Sequence, residues 1–222
     1  MCISASELPK ISIVTEESYP ANYTAEDSDI RGFAADYIKY ALNQNDVPFD
    51  ITIYSWNRAF KIANQDENVI IFPIARTPER EASFHWLHEI MTVSYYIYGL
   101  KSREDEFVDT PNFKDYKIGV IAGGITQKLL EERDLTNITL AKDYVQLINL
   151  IRKNRVDFIA TSSFGILISR GKYPDIYFKP YLKLTNREIK LYYALSRSSS
   201  DAVADKLKAI LNQHEDKLVI PN

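Results

Sequence analysis

The chain has 222 residues, 27 Lys and Arg against 30 Asp and Glu, a formal net charge of -3 and one cysteine. That length fits one large domain or two units of about 100 residues each, and a hydrophobic fraction of 45% supplies a sizeable core and excludes a disordered chain. The charge argues against a nucleic-acid binder that neutralises phosphates; no apolar run nears the roughly 18 residues that span a bilayer, and a lone Cys2 excludes an intrachain disulfide or a CxxC site.

Met1 to Glu7 reads either as the tail of a truncated secretory signal, with Cys2 a remnant of it or a lipid-anchor site, or as a frayed terminus. The β-branched run Ile11 to Thr15 predicts a strand, ended by the turn-like Tyr19-Pro20-Ala21-Asn22. Phe33, Tyr37, Ile38, Ala41 and Leu42 form one apolar helical stripe after Gly32. Ile51 to Tyr54 predicts a strand, Trp56 to Ala63 a short helix, and Val69 to Phe72 a strand apolar enough to be buried on both faces. Pro78 suits the first turn of a helix carrying Glu79, Arg80 and Glu81.

The second half repeats the plan. Lys117 to Ile121 predicts a strand before the Gly-rich Ala122-Gly123-Gly124, then Gln127 to Glu132 a helix and Ile138 to Leu140 a strand. Tyr144, Leu147, Ile148 and Ile151 mark a helix face, Val156 to Ala160 a strand, and Phe164 to Ile168 the start of another helix. Ile189 to Leu195 reads as a long strand, and Val203, Leu207, Ile210 and Leu211 stripe the last helix. An α/β pattern occurring twice predicts two parallel-type sheets.

In open α/β sheets ligands bind beyond the carboxyl ends of the strands. That selects Glu16 to Tyr23, Ser55 to Arg58, Pro73 to Arg80, Ala122 to Gln127 and Thr161 to Phe164. These segments hold aromatics (Tyr19, Tyr23, Trp56), arginines (Arg58, Arg76, Arg80), hydroxyls (Thr77, Thr126, Ser162, Ser163) and expected exposed amides at Gly123 and Gly124. The inventory suits a small anion held by a guanidinium fork and backbone amides. Each part also has a plainer reading: Trp56 as core, Arg76 or Arg80 as a cap on Glu79 or Glu81, the glycine pair as a tight turn, Pro73 as a strand stop. No HExxH, GxSxG, GxGxxG or GxxxxGK[ST] occurs. His85 and His88 have the spacing of one helix face but no evident third ligand, so neither a metal nor a cofactor is expected.

Lys10-Ile-Ser-Ile-Val-Thr-Glu16 with Tyr19-Pro20, Arg31-Gly-Phe-Ala-Ala-Asp36, Thr77-Pro-Glu-Arg80 with Phe84, Tyr116-Lys-Ile-Gly-Val120 with Gly123, and Asn154-Arg-Val-Asp157 resemble, in order and over nearly the whole chain, bacterial extracellular solute-binding proteins of family 3, the polar amino-acid type. Trp56-Asn-Arg58-Ala59 and Ala75-Arg-Thr-Pro-Glu-Arg80 are similar to a subgroup of small bacterial proteins.

The resemblance implies a type II periplasmic-binding-protein fold, a Venus flytrap of two mixed, mainly parallel sheets joined by crossings near Ser94 to Ile97 and Leu184 to Glu188. Lobe one would be residues 1–95 with 187–222, lobe two 96–186. It implies that Arg80 grips a ligand carboxylate, helped by backbone near Ala75 and by the loop Gly123 to Thr126. Ser162 stands where the family places the acid that receives an ammonium, and the loop after Val120 is one residue longer; both departures turn the expectation away from an ordinary α-amino acid. The expected ligand set is Glu16, Tyr19, Tyr23, Trp56, Arg58, Ala75, Thr77, Arg80, Gly123, Gly124, Thr126 and Ser162. The implied function is non-enzymatic binding of a small carboxylate-bearing solute by a periplasmic or extracytoplasmic monomer serving a membrane permease or receptor. A sensor module of a signalling receptor and a dehydratase-like enzyme on the same scaffold are the competing classes; an end at Pro221-Asn222 favours the free-standing form.

Overall fold

The structure, a computed structural model, describes residues 8–107, 111–166 and 173–220. The readings at Met1 to Glu7, the distal part of the helix expected from Phe164 and the chain end at Pro221-Asn222 lie outside the described residues. The chain divides into two compact units, Met1–Thr92 with Ile189–Asn222, and Val93–Glu188.

In chain order the first unit opens with β1 (Ile11–Thr15), a short hairpin of β2 (Tyr23–Thr24) and β3 (Ile30–Arg31), α1 (Phe33–Asn43), β4 (Phe49–Ile53), α2 (Trp56–Gln65), β5 (Val69–Ala75) and β6 (Phe84–Val93). The second unit holds β7 (Tyr95–Leu100), β8 (Ile118–Ile121), α3 (Ile125–Glu131), β9 (Ile138–Ala141), α4 (Tyr144–Arg152), β10 (Phe158–Ser162) and β11 (Phe178–Lys183). The chain returns to the first unit with β12 (Ile189–Ser196) and α5 (Asp201–Gln213).

The first unit is a five-stranded sheet in the order β4-β1-β5-β12-β6. β1 pairs parallel with β4 and β5, Ile13 lying opposite Ile51 on one side and Ile70 on the other; β12 closes antiparallel on β5. Apolar residues at one helical face of α1 place Tyr37, Ile38 and Leu42 in the core with Ile11, Ile13, Ile70, Ile71 and Tyr193. Two buried phenols bind helices as well as fill space. Tyr193 donates to the Ala34 carbonyl (2.7 Å) and Tyr37 to the Leu211 carbonyl (2.6 Å), so α1 is tied to β12 and α5. Burial pushes both phenol pKa values up, leaving them neutral donors.

Pro73 does not stop β5 but sits inside it. β1 pairs with β5 only through Ile71, and the β5–β12 register shifts between Tyr192 and Ala194, so the missing N–H falls where the ladder is already interrupted. The helix expected from Pro78 is instead a turn followed by one 3₁₀ turn, Glu81–Ser83, because buried Phe84 starts β6.

The second unit repeats the plan in the order β11-β7-β10-β8-β9. β8 runs parallel to β9 and β10, and β7 runs antiparallel to β10 and β11. Phe107, Phe113, Tyr116 and Tyr181 surround the fully buried Phe158 with ring centroids 4.6 to 5.3 Å away. β10 starts later than the sequence pattern suggests and extends to Ser162, which pairs with Tyr95; Thr161 and Ser162 are therefore sheet residues at a strand end, not loop residues.

Candidate functional site

In the first unit the segment after β1 is clamped rather than loose. The amides of Phe33, Ala34 and Ala35, which open α1 and lack intrahelical acceptors, donate to Pro20 and Ala21 carbonyls at 3.0 to 3.1 Å. Gly32 permits this approach: its φ is +120°, and a Cβ there would lie 2.5 Å from both carbonyl oxygens. Behind the segment, buried Asn22 donates through Nδ2 to the Thr15 hydroxyl (2.7 Å) and to the Glu16 carbonyl. Thr15 in turn donates to the Phe72 carbonyl on β5 (2.6 Å). Tyr19 and Tyr23 emerge from this base with ring centroids 4.9 Å apart, Tyr19 exposed. Glu16 is half-buried, its Oε2 withdrawn from solvent.

The ends of β4 and β5 contribute aromatic seats for cations. Arg58, exposed on α2, stacks its guanidinium 4.3 Å from the Tyr54 ring. Arg80 lies over Phe60 (5.0 Å) and the edge of the core at Trp56 (5.5 Å), with Nη1 donating to the Ala75 carbonyl at 3.3 Å. Its own amide is held by the Thr77 carbonyl (3.0 Å), which fixes the turn. Trp56 is therefore both core, only 6% exposed, and platform. A half-buried, half-stacked guanidinium keeps its planar fork oriented at low entropic cost.

Arg76 is used differently. It donates in a fork to both Glu81 oxygens, through Nε at 2.9 Å and through Nη2, and its guanidinium lies 5.3 Å from both the Trp86 and Tyr192 rings. The Glu81 hydrogen bond raises the Arg76 pKa, and the reciprocal bond from Arg76 holds the Glu81 carboxyl below the usual range. Arg76 thus takes the capping role on Glu81 that the sequence allowed.

In the second unit the turn after β8 spends its amides internally. Gly123, at φ +70°, donates to Gln127 Oε1 (2.9 Å), and Gly124 donates to the Ile121 carbonyl (3.3 Å). The expected exposed amides at Gly123 and Gly124 are corrected accordingly: both close the turn into α3, and Gln127 is the missed residue that makes this possible. Thr126 is buried in the first turn of α3. At the end of β10, Ser162 Oγ accepts from the Gly165 amide (3.0 Å), capping the helical turn at 163–166. Thr161 and Tyr144 share a hydroxyl–hydroxyl bond of 3.0 Å, and Ser163 Oγ accepts from the Ser94 amide (3.3 Å).

The structure thus brings Glu16, Tyr19 and Tyr23 together in one unit, joins Arg80 to Trp56 and Ala75, and gathers Ser162 with Thr161 and Tyr144 in the other. Sequence reading missed Phe60, Asn22, Gln127 and Tyr144. Phe60 was accessible as the helical i+4 neighbour of Trp56. His85 and His88 lie on β6, not a helix, where odd spacing sends them to opposite faces. His85 contacts the Ser199 carbonyl and Arg197, while His88 contacts Asn212. Among the described residues no group of three His, Cys, Asp or Glu is arranged to hold a metal, and no helix is long and apolar enough to cross a membrane.

No family model matches the chain, and no curated protein matches it by sequence. Solved structures do match in fold. The arginine-, lysine-, histidine-binding protein ArtJ from Geobacillus stearothermophilus is similar at a TM-score of 0.79 and 17% identity, over 93% of this chain and 91% of that one. Holo ArgBP from T. maritima gives 0.76 and 14% identity, over 96% and 92%. The ancestral amino acid-binding protein AncCDT-1, a precursor of cyclohexadienyl dehydratase, gives 0.77 and 17% identity, over 94% and 93%. The chain has the type II periplasmic-binding-protein fold.

Proposed function

We propose that this chain is an extracytoplasmic solute-binding protein that reversibly takes up a small carboxylate-bearing molecule and presents it to a membrane permease or receptor. The observation that carries this reading is the seat of Arg80: a guanidinium half-buried on Phe60 and Trp56, braced by the Ala75 carbonyl, at the carboxyl end of a central strand. Such a fork matches a carboxylate in two parallel hydrogen bonds. Tyr19, Tyr23 and Glu16 line the neighbouring strand end of the same unit. Arg58 contributes positive charge nearby through its stack on Tyr54.

Binding rather than turnover, a monomeric state and a periplasmic setting belong to the same proposal. The first of these is supported by the solved structures of similar fold, of which ArtJ and ArgBP are described as binding proteins. A thermal-shift screen over amino acids, dicarboxylates, aromatic acids and polyamines tests the reading. A true ligand at about 100 times its dissociation constant adds roughly 2.7 kcal/mol, and this gain disappears in Arg80→Ala. Recovery of the ligand unchanged after long incubation separates binding from a dehydratase-like reaction.

A further inference from the structure

We infer that the second unit carries a separate site for a small zwitterion, an anionic oxygen group joined by a short chain to an ammonium, at the amino ends of β8 and β10. The site is a hollow of about 370 Å³ lined by Leu100 to Ser102, Arg152 and Asp175 to Tyr177, a size in the range of small-molecule sites. Its place follows from the register. Tyr98 on β7 lies opposite Ile159 on β10, and Leu100 opposite Phe178 on β11, so the chain leaves β7 at the end of the sheet where β8 and β10 begin. The last turn of α4 brings Arg152 to the same end. Two backbone bonds fix the wall: the Lys101 amide donates to the Tyr177 carbonyl (2.8 Å) and the Ile176 amide to the Tyr173 carbonyl (3.0 Å).

The charges at this end are unequally used. Lys101 spends its ammonium on Glu104 at 2.6 Å, and Arg103 donates through Nε (2.9 Å) and Nη2 (2.6 Å) to Glu106. Arg152 and Asp175 are left over: among the described residues neither enters an ion pair, with the other or with a third group, although both line the one hollow. The Arg152 guanidinium is nonetheless oriented, stacked 4.9 Å from the Tyr173 ring. Stacking occupies its face and leaves the in-plane N–H fork for a carboxylate or phosphate. Ser102 adds a hydroxyl to the same rim. Asp175 shares its turn with Tyr177, which is 60% exposed; a carboxylate and an open aromatic ring together suit an ammonium. A ligand of one charge would meet one of the two unpaired groups and leave the other to water. A zwitterion meets both, with half-buried Leu100 and Ile176 supplying apolar surface for the methylenes between its ends.

The test is an NMR titration of the intact, isotopically labelled chain with O-phosphoethanolamine and γ-aminobutyrate, against ethanolamine and inorganic phosphate as half-ligands. A zwitterion is expected to shift the amides of residues 100–102, 152 and 175–177 and to bind on the order of tenfold more tightly than either half-ligand. Arg152→Gln and Asp175→Asn, both at exposed positions, should each remove about that factor. Vesicles of phosphatidylcholine carrying phosphatidylethanolamine or phosphatidylglycerol then separate the two sources of this chemistry. Retention on phosphatidylethanolamine alone assigns the site to a lipid headgroup, and binding of the free zwitterions without retention assigns it to a soluble ligand; both uphold it. Inorganic phosphate binding as tightly as O-phosphoethanolamine would overturn the zwitterion. Shifts confined to the first unit, affinity unchanged in both variants, or no shift at these amides with any probe would overturn the site.

Discussion

The guanidinium of Arg76 meets the carboxylate of Glu81 edge to edge, Nε and Nη2 each donating to a different oxygen. Arg80, on the same turn, lies instead across Phe60 and Trp56. Two arginines four residues apart are thus assigned different work by what their turn and its neighbours offer. The expected outcome is a sharp separation. Arg80→Ala should weaken ligand binding by on the order of 2–5 kcal/mol, with Arg80→Lys little better because an ammonium cannot reproduce the fork. Arg76→Ala should leave affinity nearly unchanged and lower stability by no more than about 1 kcal/mol, since the pair is exposed. Calorimetry with whichever acid the screen selects decides between them; an essential Arg76 with a dispensable Arg80 would refute the assignment.

Gly32→Ala forces a side chain into a φ of +120° and against two carbonyl oxygens. We expect destabilisation of about 1–3 kcal/mol from backbone strain alone, read as a lower urea midpoint. Because the same contact anchors the segment bearing Tyr19 and Tyr23, affinity should fall as well. A variant as stable as the parent would show that α1 and this segment are not docked as described.

Glu89 makes the stability of the first unit depend on pH. Its carboxylate accepts from Lys190 (2.8 Å) and the Tyr192 hydroxyl (3.2 Å), and the Lys190 bond is the main reason its pKa is lowered. A depressed folded-state value means the folded chain holds the charged form more strongly than the unfolded one. The stabilisation is therefore complete above the ordinary glutamate value near about 4.3 and is lost as pH falls through the depressed one. Thermal midpoints of the parent and Glu89→Gln should differ at pH 7 and converge in acid. A constant difference down to pH 3 would argue against the ion pair as its source.

Removing only the hydroxyl of Tyr193 tests the buried tie between β12 and α1. Tyr193→Phe keeps the ring but loses the 2.7 Å bond to the Ala34 carbonyl. A loss of about 1 kcal/mol is expected, with no change in ligand affinity. A neutral effect on the urea midpoint would mean that the bond is replaced by another donor.

Where burial was continuous or helical, the fold could be read from the chain. Val69 to Phe72 and the α1 stripe fall in β5 and α1 because their neighbours are apolar on every side that matters. β6 escaped because its buried residues, Phe84, Leu87, Ile90 and Val93, recur every third position and imitate a helix face. β11 escaped because Pro180 argues against a strand, yet it sits on the sheet edge where the register shifts between Pro180 and Leu182. At the site, residue types were legible but their obligations were not. Nothing local in the sequence says that Gln127 will occupy the Gly123 amide or that Ser162 will cap the turn after it, since both depend on where the backbone goes next.

Thr15 has the widest reach for its size. One hydroxyl takes a proton from Asn22 and gives its own to Phe72, so the ends of β1 and β5 are stitched at a single atom. Anyone redesigning the binding specificity inherits that stitch. Tyr19 and Tyr23 can be varied as interchangeable surface, but Asn22 and Thr15 form the hem that holds them, and a loop graft that omits either should let the first strand end drift away from the strand that leads into the Arg80 turn.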